Sequence, residues 1–418
     1  MHMGNEELME IVDLWNLKPK IREKIHQLLA ENLPESPPHL FRYYGPEPGK
    51  VVQLEREFAL KSGARYALAV NSGTSALIAA LVACGIGPGD EVIVPAYTFF
   101  ATASAAVVAR AIPVIAEVDE TLTLDPEDVR RKLTSQTKAI MPVHMRGLPA
   151  DMDALMEIAR ESGLKIIEDV AQACGGRYRG RWLGTFGDAG CFSFDFYKIV
   201  ASGEGGMVVT DDEEVYIRAQ SYHDTAACWR PDRHAREKMP GELFCGENYR
   251  MSEVHGAIAL AQLRKLDGYL ERCRKNKKLL TERLESLRGV QLQPVNDPDG
   301  DAAQCLILFA PTAERAREMI DNLHLEGVPA GGIYDKTVRD WHIYTYWEHI
   351  LERKTPTPEG CPYTCPHYQG RLPEYHPEMC PRTLDLLSRT VHIAISPDWE
   401  EDRIEDVAGK IARALKGG

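Results

Sequence analysis

No stretch of this chain approaches the ~18 uninterrupted apolar residues of a membrane-spanning helix, and its first residues lack the basic-then-apolar order of a secretory leader. Both absences lead us to expect a cytoplasmic protein with no membrane partner. Positive charge is in deficit: 49 Lys and Arg against 62 Asp and Glu give a formal charge of -13. That balance repels phosphodiester backbones, so no nucleic acid partner is expected. Internal repeats and low-complexity tracts are missing, which removes solenoid and disordered classes. The 10 cysteines are scattered through a long chain, which speaks against a disulfide framework in a reducing compartment. What is there, 418 residues at 44% hydrophobic and 27% charged, is globular material with room for about two or three domains.

Residues 6–33 read as helical, with Met9, Ile11, Val12, Leu14, Ile21, Ile25 and Leu28 at helix-like spacing, and the prolines of residues 34–38 end that segment. From about residue 65 to residue 212, apolar runs alternate with amphipathic stretches. The runs are Tyr66-Ala67-Leu68-Ala69-Val70, Glu91-Val92-Ile93-Val94, Ile112-Pro113-Val114-Ile115, Ala139-Ile140-Met141-Pro142-Val143 and Lys165-Ile166-Ile167-Glu168. This rhythm predicts an α/β fold: a mostly parallel sheet covered on both faces, with its loops gathered at one edge. Residues 252–288 read as one long helix joining two lobes, and a smaller α+β pattern follows, with strands near residues 303–310 and 391–395. We expect a large domain over residues 1–262, including the N-terminal helical segment, and a small C-terminal domain over 263–418. Cys361, Cys365, His367 and Cys380 fall in a proline-rich stretch and have zinc-ligand chemistry, but not a recognised finger spacing; free thiols in a long loop are the expectation, and no metal is assigned.

The most informative residue is Lys198. It follows Cys191-Phe192-Ser193-Phe194-Asp195-Phe196-Tyr197 and precedes the glycine-rich run Gly203-Glu204-Gly205-Gly206, after which residues 207–210 read as a strand. Aromatic neighbours would remove water and favour a neutral, nucleophilic amine, which is what a Schiff base needs. A solvated strand-end lysine would look the same in isolation. Asn71-Ser72-Gly73-Thr74-Ser75-Ala76 follows a strand and opens an alanine-rich helix, where small residues let backbone N–H groups approach a phosphate; the same residues also suit a simple cap. Asp169 closes a strand, with Gln172 three residues on. A carboxylate there could pair with a protonated ring nitrogen, or cap a helix. Phe99, in Pro95-Ala96-Tyr97-Thr98-Phe99-Phe100, offers an aromatic face or a core side chain. Gly246-Glu247-Asn248-Tyr249-Arg250 reads as polar groups before a helix, or as an ordinary turn and cap.

In their order along the chain, these motifs resemble the DegT/DnrJ/EryC1/StrS family of sugar aminotransferases, fold-type-I pyridoxal-phosphate enzymes. The resemblance runs from about residue 41 to residue 414. Its most specific matches are Asn71-Ser72-Gly73-Thr74, Gly87-Pro88-Gly89-Asp90-Glu91-Val92-Ile93-Val94-Pro95, Glu168-Asp169-Val170-Ala171-Gln172, Phe192-Ser193-Phe194 with Lys198, Gly203-Glu204-Gly205-Gly206 and Asn248-Tyr249-Arg250-Met251-Ser252-Glu253. The resemblance implies that Lys198 forms the Schiff base with pyridoxal 5'-phosphate and moves the proton, and that Asp169 pairs with the pyridine nitrogen. It implies that Gln172 lies near the ring oxygen, Phe99 stacks on the ring, and Gly73, Thr74, Ser75 and Ser193 hold the phosphate. Asn248 would reach the phosphate from a neighbouring subunit, so a homodimer with shared sites is implied. Glu204, Tyr249 and His144, the last in Val143-His144-Met145-Arg146-Gly147, would line the substrate side.

The family also holds keto-sugar dehydratases, in which histidine stands at the lysine position, and relatives that could bind the cofactor as regulators. A lysine at 198 favours amine transfer, since imidazole cannot form the Schiff base. The expected reaction moves an amino group from glutamate or glutamine to a keto sugar, in amino-sugar biosynthesis. Local stretches resemble the subgroup containing 8-amino-3,8-dideoxy-manno-octulosonate transaminase, whereas residues 334–380, rich in Trp, Tyr and His, depart from it; a cyclitol ketone or a nucleotide-linked keto sugar remains open as acceptor.

Overall fold

The computed structural model describes residues 4–33, 40, 48–225, 237, 241–285 and 291–416. Its strands are, in chain order, β1 (Tyr66–Val70), β2 (Glu91–Pro95), β3 (Ile112–Ala116), β4 (Thr137–Ile140), β5 (Lys165–Asp169), β6 (Arg177–Tyr178), β7 (Arg181–Trp182), β8 (Ala189–Ser193), β9 (Gly206–Thr210), β10 (Gln291–Leu292), β11 (Cys305–Phe309) and β12 (Thr390–Ala394). A 7-stranded sheet runs in the order β1-β9-β8-β5-β4-β2-β3. Its pairs from β8 through β5, β4 and β2 to β3 are parallel, and β9 runs antiparallel to both β8 and β1.

The strand runs are apolar at consecutive positions because both faces are covered. Leu68 and Val70 pack under helices Gly73–Ala83, Ala101–Val108 and Glu213–His223, while Ala67 and Ala69 meet helices Lys50–Ser62 and Glu253–Leu263 on the other side. Gly73–Ala83 is apolar nearly all round and buried, as a helix held between a sheet and its neighbours must be. The small lobe pairs β10, β11 and β12 antiparallel and packs them on helices Leu266–Glu285, Ala313–Leu325 and Glu401–Lys416.

Several expectations change. The N-terminal segment is two helices, Asn5–Asp13 and Pro19–Asn32, because Pro19 starts a new helix rather than continuing the old one; residues 34–38 lie outside the described residues. The long helix is interrupted at Arg264 and Lys265, giving Glu253–Leu263 and Leu266–Glu285. Residues 343–387, placed by the sequence reading in the small domain, supply Ile343, Tyr344, Trp347, Ile350, Cys380, Leu386 and Leu387 to a core shared with the large sheet. Their polar tips reach the same sheet: Tyr368 donates to Glu91 at 2.5 Å and Tyr375 to the Pro113 carbonyl at 2.5 Å. Cys380 is buried with its Sγ toward the Ile115 carbonyl while Cys361 is exposed, and among the described residues no three His, Cys, Asp or Glu converge as a metal site.

Candidate active site

Parallel strands deliver their C-terminal ends, and the loops after them, to one edge. There a cavity of about 950 Å³ is lined by Gly73, Thr74, Phe99, Thr102, Arg146, Asp169, Gln172, Ser193, Lys198, Glu204, His342 and His392, among others. The strand ends β1, β2, β5 and β8 bring the sequence-predicted Thr74, Phe99, Asp169 and Lys198 together.

The helix start is shaped by close approach. A Cβ on Gly73 would stand 2.6 Å from Ser193 Cβ, and one on Gly206 would stand 2.4 Å from the Ser72 carbonyl, so the β1 turn lies directly on the ends of β8 and β9. Ser72 caps the helix by accepting from the Ser75 N–H at 3.0 Å. Ser75 turns its hydroxyl back to Asn71 Oδ1 at 2.6 Å, within the cap, and is not among the cavity-lining residues. Gly73, Thr74 and Ser193 keep their places at the N-terminal, positive end of the helix.

Asp169 is 4% exposed and caps no helix. Its Oδ1 accepts from the Ala171 N–H at 3.1 Å and its Oδ2 from Thr102 Oγ1 at 2.8 Å. Burial pushes its carboxyl above the usual range, against the pull of those two donors and of the Lys198 charge. A carboxylate sunk this deep with neutral donors alone fits a cationic ring nitrogen. Gln172 accepts the Arg146 N–H on its Oε1 at 3.1 Å, which leaves its NH₂ for the cavity. Phe99, 41% exposed, lies 5.3 Å from the His342 ring, centroid to centroid.

Lys198 sits on a loop closed at its neck by Phe194 N–H to Gly205 O at 2.8 Å and Ser202 N–H to Phe194 O at 2.8 Å. The dry setting foreseen from its aromatic neighbours is only partly present: Phe192 and Phe194 are core, but Phe196 and Tyr197 are 73% and 85% exposed.

Two of the residues expected on the substrate side lie outside the cavity lining. His144 is fully buried beneath the cavity: Ala150 N–H donates to its Nδ1 at 3.1 Å, which leaves Nε2–H to donate to Glu168 at 3.1 Å. Those two bonds brace the sheet edge. Tyr249 packs edge-on against Tyr222 at 5.8 Å and lies outside the cavity of its own chain. Glu204 does line the cavity. Asn248 is exposed, outside the same cavity, and pairs with Asp224 through a backbone bridge. Residues the sequence reading left unassigned also converge: Thr102 on Asp169, Arg146, His342 and His392. Arg146 had a signal, since it lies on the same connection as His144 and follows a strand aimed at the same edge. His342 belongs to the stretch rich in Trp, Tyr and His; it arrives because Thr98 N–H donates to the His342 carbonyl at 2.9 Å and Phe100 N–H to that of Trp341 at 3.0 Å, strapping a distant segment across the loop after β2.

The chain is similar to known proteins along most of its length. The DegT/DnrJ/EryC1/StrS aminotransferase family model matches residues 45–365. The chain is 34% identical over 377 residues to the spore coat polysaccharide biosynthesis protein SpsC of Bacillus subtilis, covering 88% of this chain and 90% of that protein. It is 36% identical to the 3-amino-5-hydroxybenzoate synthase of Amycolatopsis mediterranei, covering 78% of this chain and 87% of that enzyme. A 42% match to the GDP-perosamine synthase of Caulobacter vibrioides spans 53% of this chain and 58% of that enzyme. Among solved structures, a 3-amino-5-hydroxybenzoic acid synthase superposes with a TM-score of 0.74 at 33% identity, over 91% of this chain and 93% of that one. The chain therefore belongs to the DegT/DnrJ/EryC1/StrS aminotransferase family, whose members work with pyridoxal 5'-phosphate.

Proposed function

We propose that this cavity transfers an amino group from an amino acid, glutamate or glutamine, to the ketone of a sugar or cyclitol, with Lys198 as the covalent anchor of the cofactor. The observation that carries the reading is the convergence of Lys198, Asp169 and the capped helix start at Gly73 on one cavity. The bound cofactor supplies an electron sink for the carbanion that forms at the substrate carbon. Asp169 would hold a proton on the ring nitrogen, and Thr102 fixes that carboxylate. Phe99 would cover the ring face, Gln172 would face the ring oxygen, and Gly73, Thr74 and Ser193, which line the cavity at the helix N-terminus, would hold the phosphate. Lys198 Nζ moves the proton at the substrate carbon in both directions. Glu204 meets the acceptor side.

Asn248, exposed and outside its own chain's cavity, suits the role of a donor to the phosphate of a second copy, so we take the working unit as a homodimer with shared sites. Purified protein loaded with pyridoxal 5'-phosphate should show a visible absorption band that bleaches with glutamate or glutamine and returns with a keto sugar, cyclitol ketone or octulosonate acceptor. Lys198→Ala should abolish turnover while leaving the melting temperature near that of the parent. A variant with full activity would rule the assignment out.

A further inference from the structure

Arg146 is a cationic side chain of the cavity with no carboxylate paired to it among the described residues. It stands in left-handed backbone, φ 54, a conformation its own N–H fixes by donating to Gln172. Its Nε donates to Tyr97 Oη at 2.6 Å and its Nη1 reaches His392 Nε2 at 3.2 Å. A guanidinium only donates, so His392 accepts on Nε2 and carries its proton on Nδ1. Burial, aided by the Arg146 charge, pushes that imidazole down to about 3, so it is neutral. Burial likewise holds Tyr97 protonated by raising its phenol. Among the described residues no carboxylate lies within the 4.0 Å ion-pair distance of Arg146, and its Nη2 has no hydrogen-bond partner. Asp340, the nearby acid whose field reaches it, is taken up by His342, through the backbone N–H at 2.9 Å and Nδ1 at 2.7 Å.

A half-buried guanidinium braced only by neutral groups is costly until an anion arrives, and its planar fork matches a carboxylate. The phosphate end of the site has its own donors at Gly73, Thr74 and Ser193. Apart from Lys198, Arg146 is the sole Lys or Arg side chain among the described residues of the lining.

We propose that Arg146 receives a substrate carboxylate, with His392 and Tyr97 holding the guanidinium in position. The inference rests on the reading of the cavity as the transamination site and deepens it: one of the two substrates docks by an acid group against this arginine. That acid group belongs either to the amino donor or to the acceptor, and the experiment separates the two.

Holoenzyme is titrated calorimetrically with glutarate, which cannot react, and with glutaramide, in the parent, Arg146→Met and Arg146→Lys. The visible cofactor band is recorded in each, as the control for fold and cofactor loading. Absence of the band from the parent would sink the transamination reading itself; an intact band isolates the carboxylate question. Glutarate should bind the parent more tightly than glutaramide does, and Arg146→Met should lose on the order of 10- to 100-fold of that affinity, with Arg146→Lys losing less. A slowed bleaching by glutamate in Arg146→Met assigns the carboxylate to the donor. Unchanged bleaching, with slower return of the band only for carboxylate-bearing acceptors, assigns it to the acceptor. Equal glutarate affinity in parent and Arg146→Met, or no preference for glutarate over glutaramide, would overturn the proposal.

Discussion

Asp169 couples ionisation to stability in a definite direction. Burial raises its folded-state value above the ~4 of an exposed aspartate, so between those two values the native chain binds more protons than the unfolded one. The stability of cofactor-free protein should therefore fall as pH rises through that window. Asp169→Asn, which removes the buried charge, should flatten this slope in a series of thermal melts while costing about 10²–10³ in kcat of the loaded enzyme. The place of Asp169 at the sheet edge was legible in the chain because strand ends announce themselves through apolar runs, and that of Lys198 through the glycine-rich run that follows it. Ser75, His144 and Tyr249 lie outside the cavity lining of their own chain for a common physical reason. The direction of a short polar side chain depends on which backbone group it caps, and of a ring on its packing partner, and neither is encoded in spacing. Ser75 turns to Asn71, His144 to Glu168 and Ala150, and Tyr249 to Tyr222.

At the scale of elements, the helix Gly73–Ala83 and the strap at residues 341–347 decide how the site is held. Gly73→Ala places a methyl against Ser193, with backbone and strand end on either side. It should lower stability by about 1–3 kcal/mol in denaturant titrations and weaken cofactor binding in the same protein, since the helix start must back away from β8. Trp347 is fully buried, donates to the Trp341 carbonyl at 2.9 Å and anchors the segment that carries His342 to Phe99. Trp347→Ala should cost about 3–5 kcal/mol, read from the shift of the unfolding midpoint. The mostly parallel sheet could be anticipated from consecutive apolar runs separated by amphipathic helices, but not the antiparallel course of β9 between β1 and β8. The strap could not, since irregular chain paired through isolated bridges such as Tyr97 with Ile343 has no periodicity to betray its partner.

For the whole molecule, the proposed sharing of sites between two copies has an arithmetic consequence. If Asn248 of one copy serves the cavity of the other, mixing inactive Lys198→Ala with inactive Asn248→Asp rebuilds one intact site in each mixed dimer. Random reassortment should restore roughly a quarter of parental activity. Activity that stays at the sum of the two variants would show that each chain works alone. The two lobes within one chain are also more tightly joined than a sequence boundary suggests. The 20-residue helix Leu266–Glu285 puts Leu266 and Leu270 into the core beside the large sheet and Leu280 and Leu284 into that of the small lobe. β11 divides in the same way, Cys305, Ile307 and Phe309 facing one core and Leu306 and Leu308 the other. Neither lobe can lose its interior without stripping the other, so calorimetric scans of the holoenzyme should record a single endotherm, and a protease should find no surviving half-molecule.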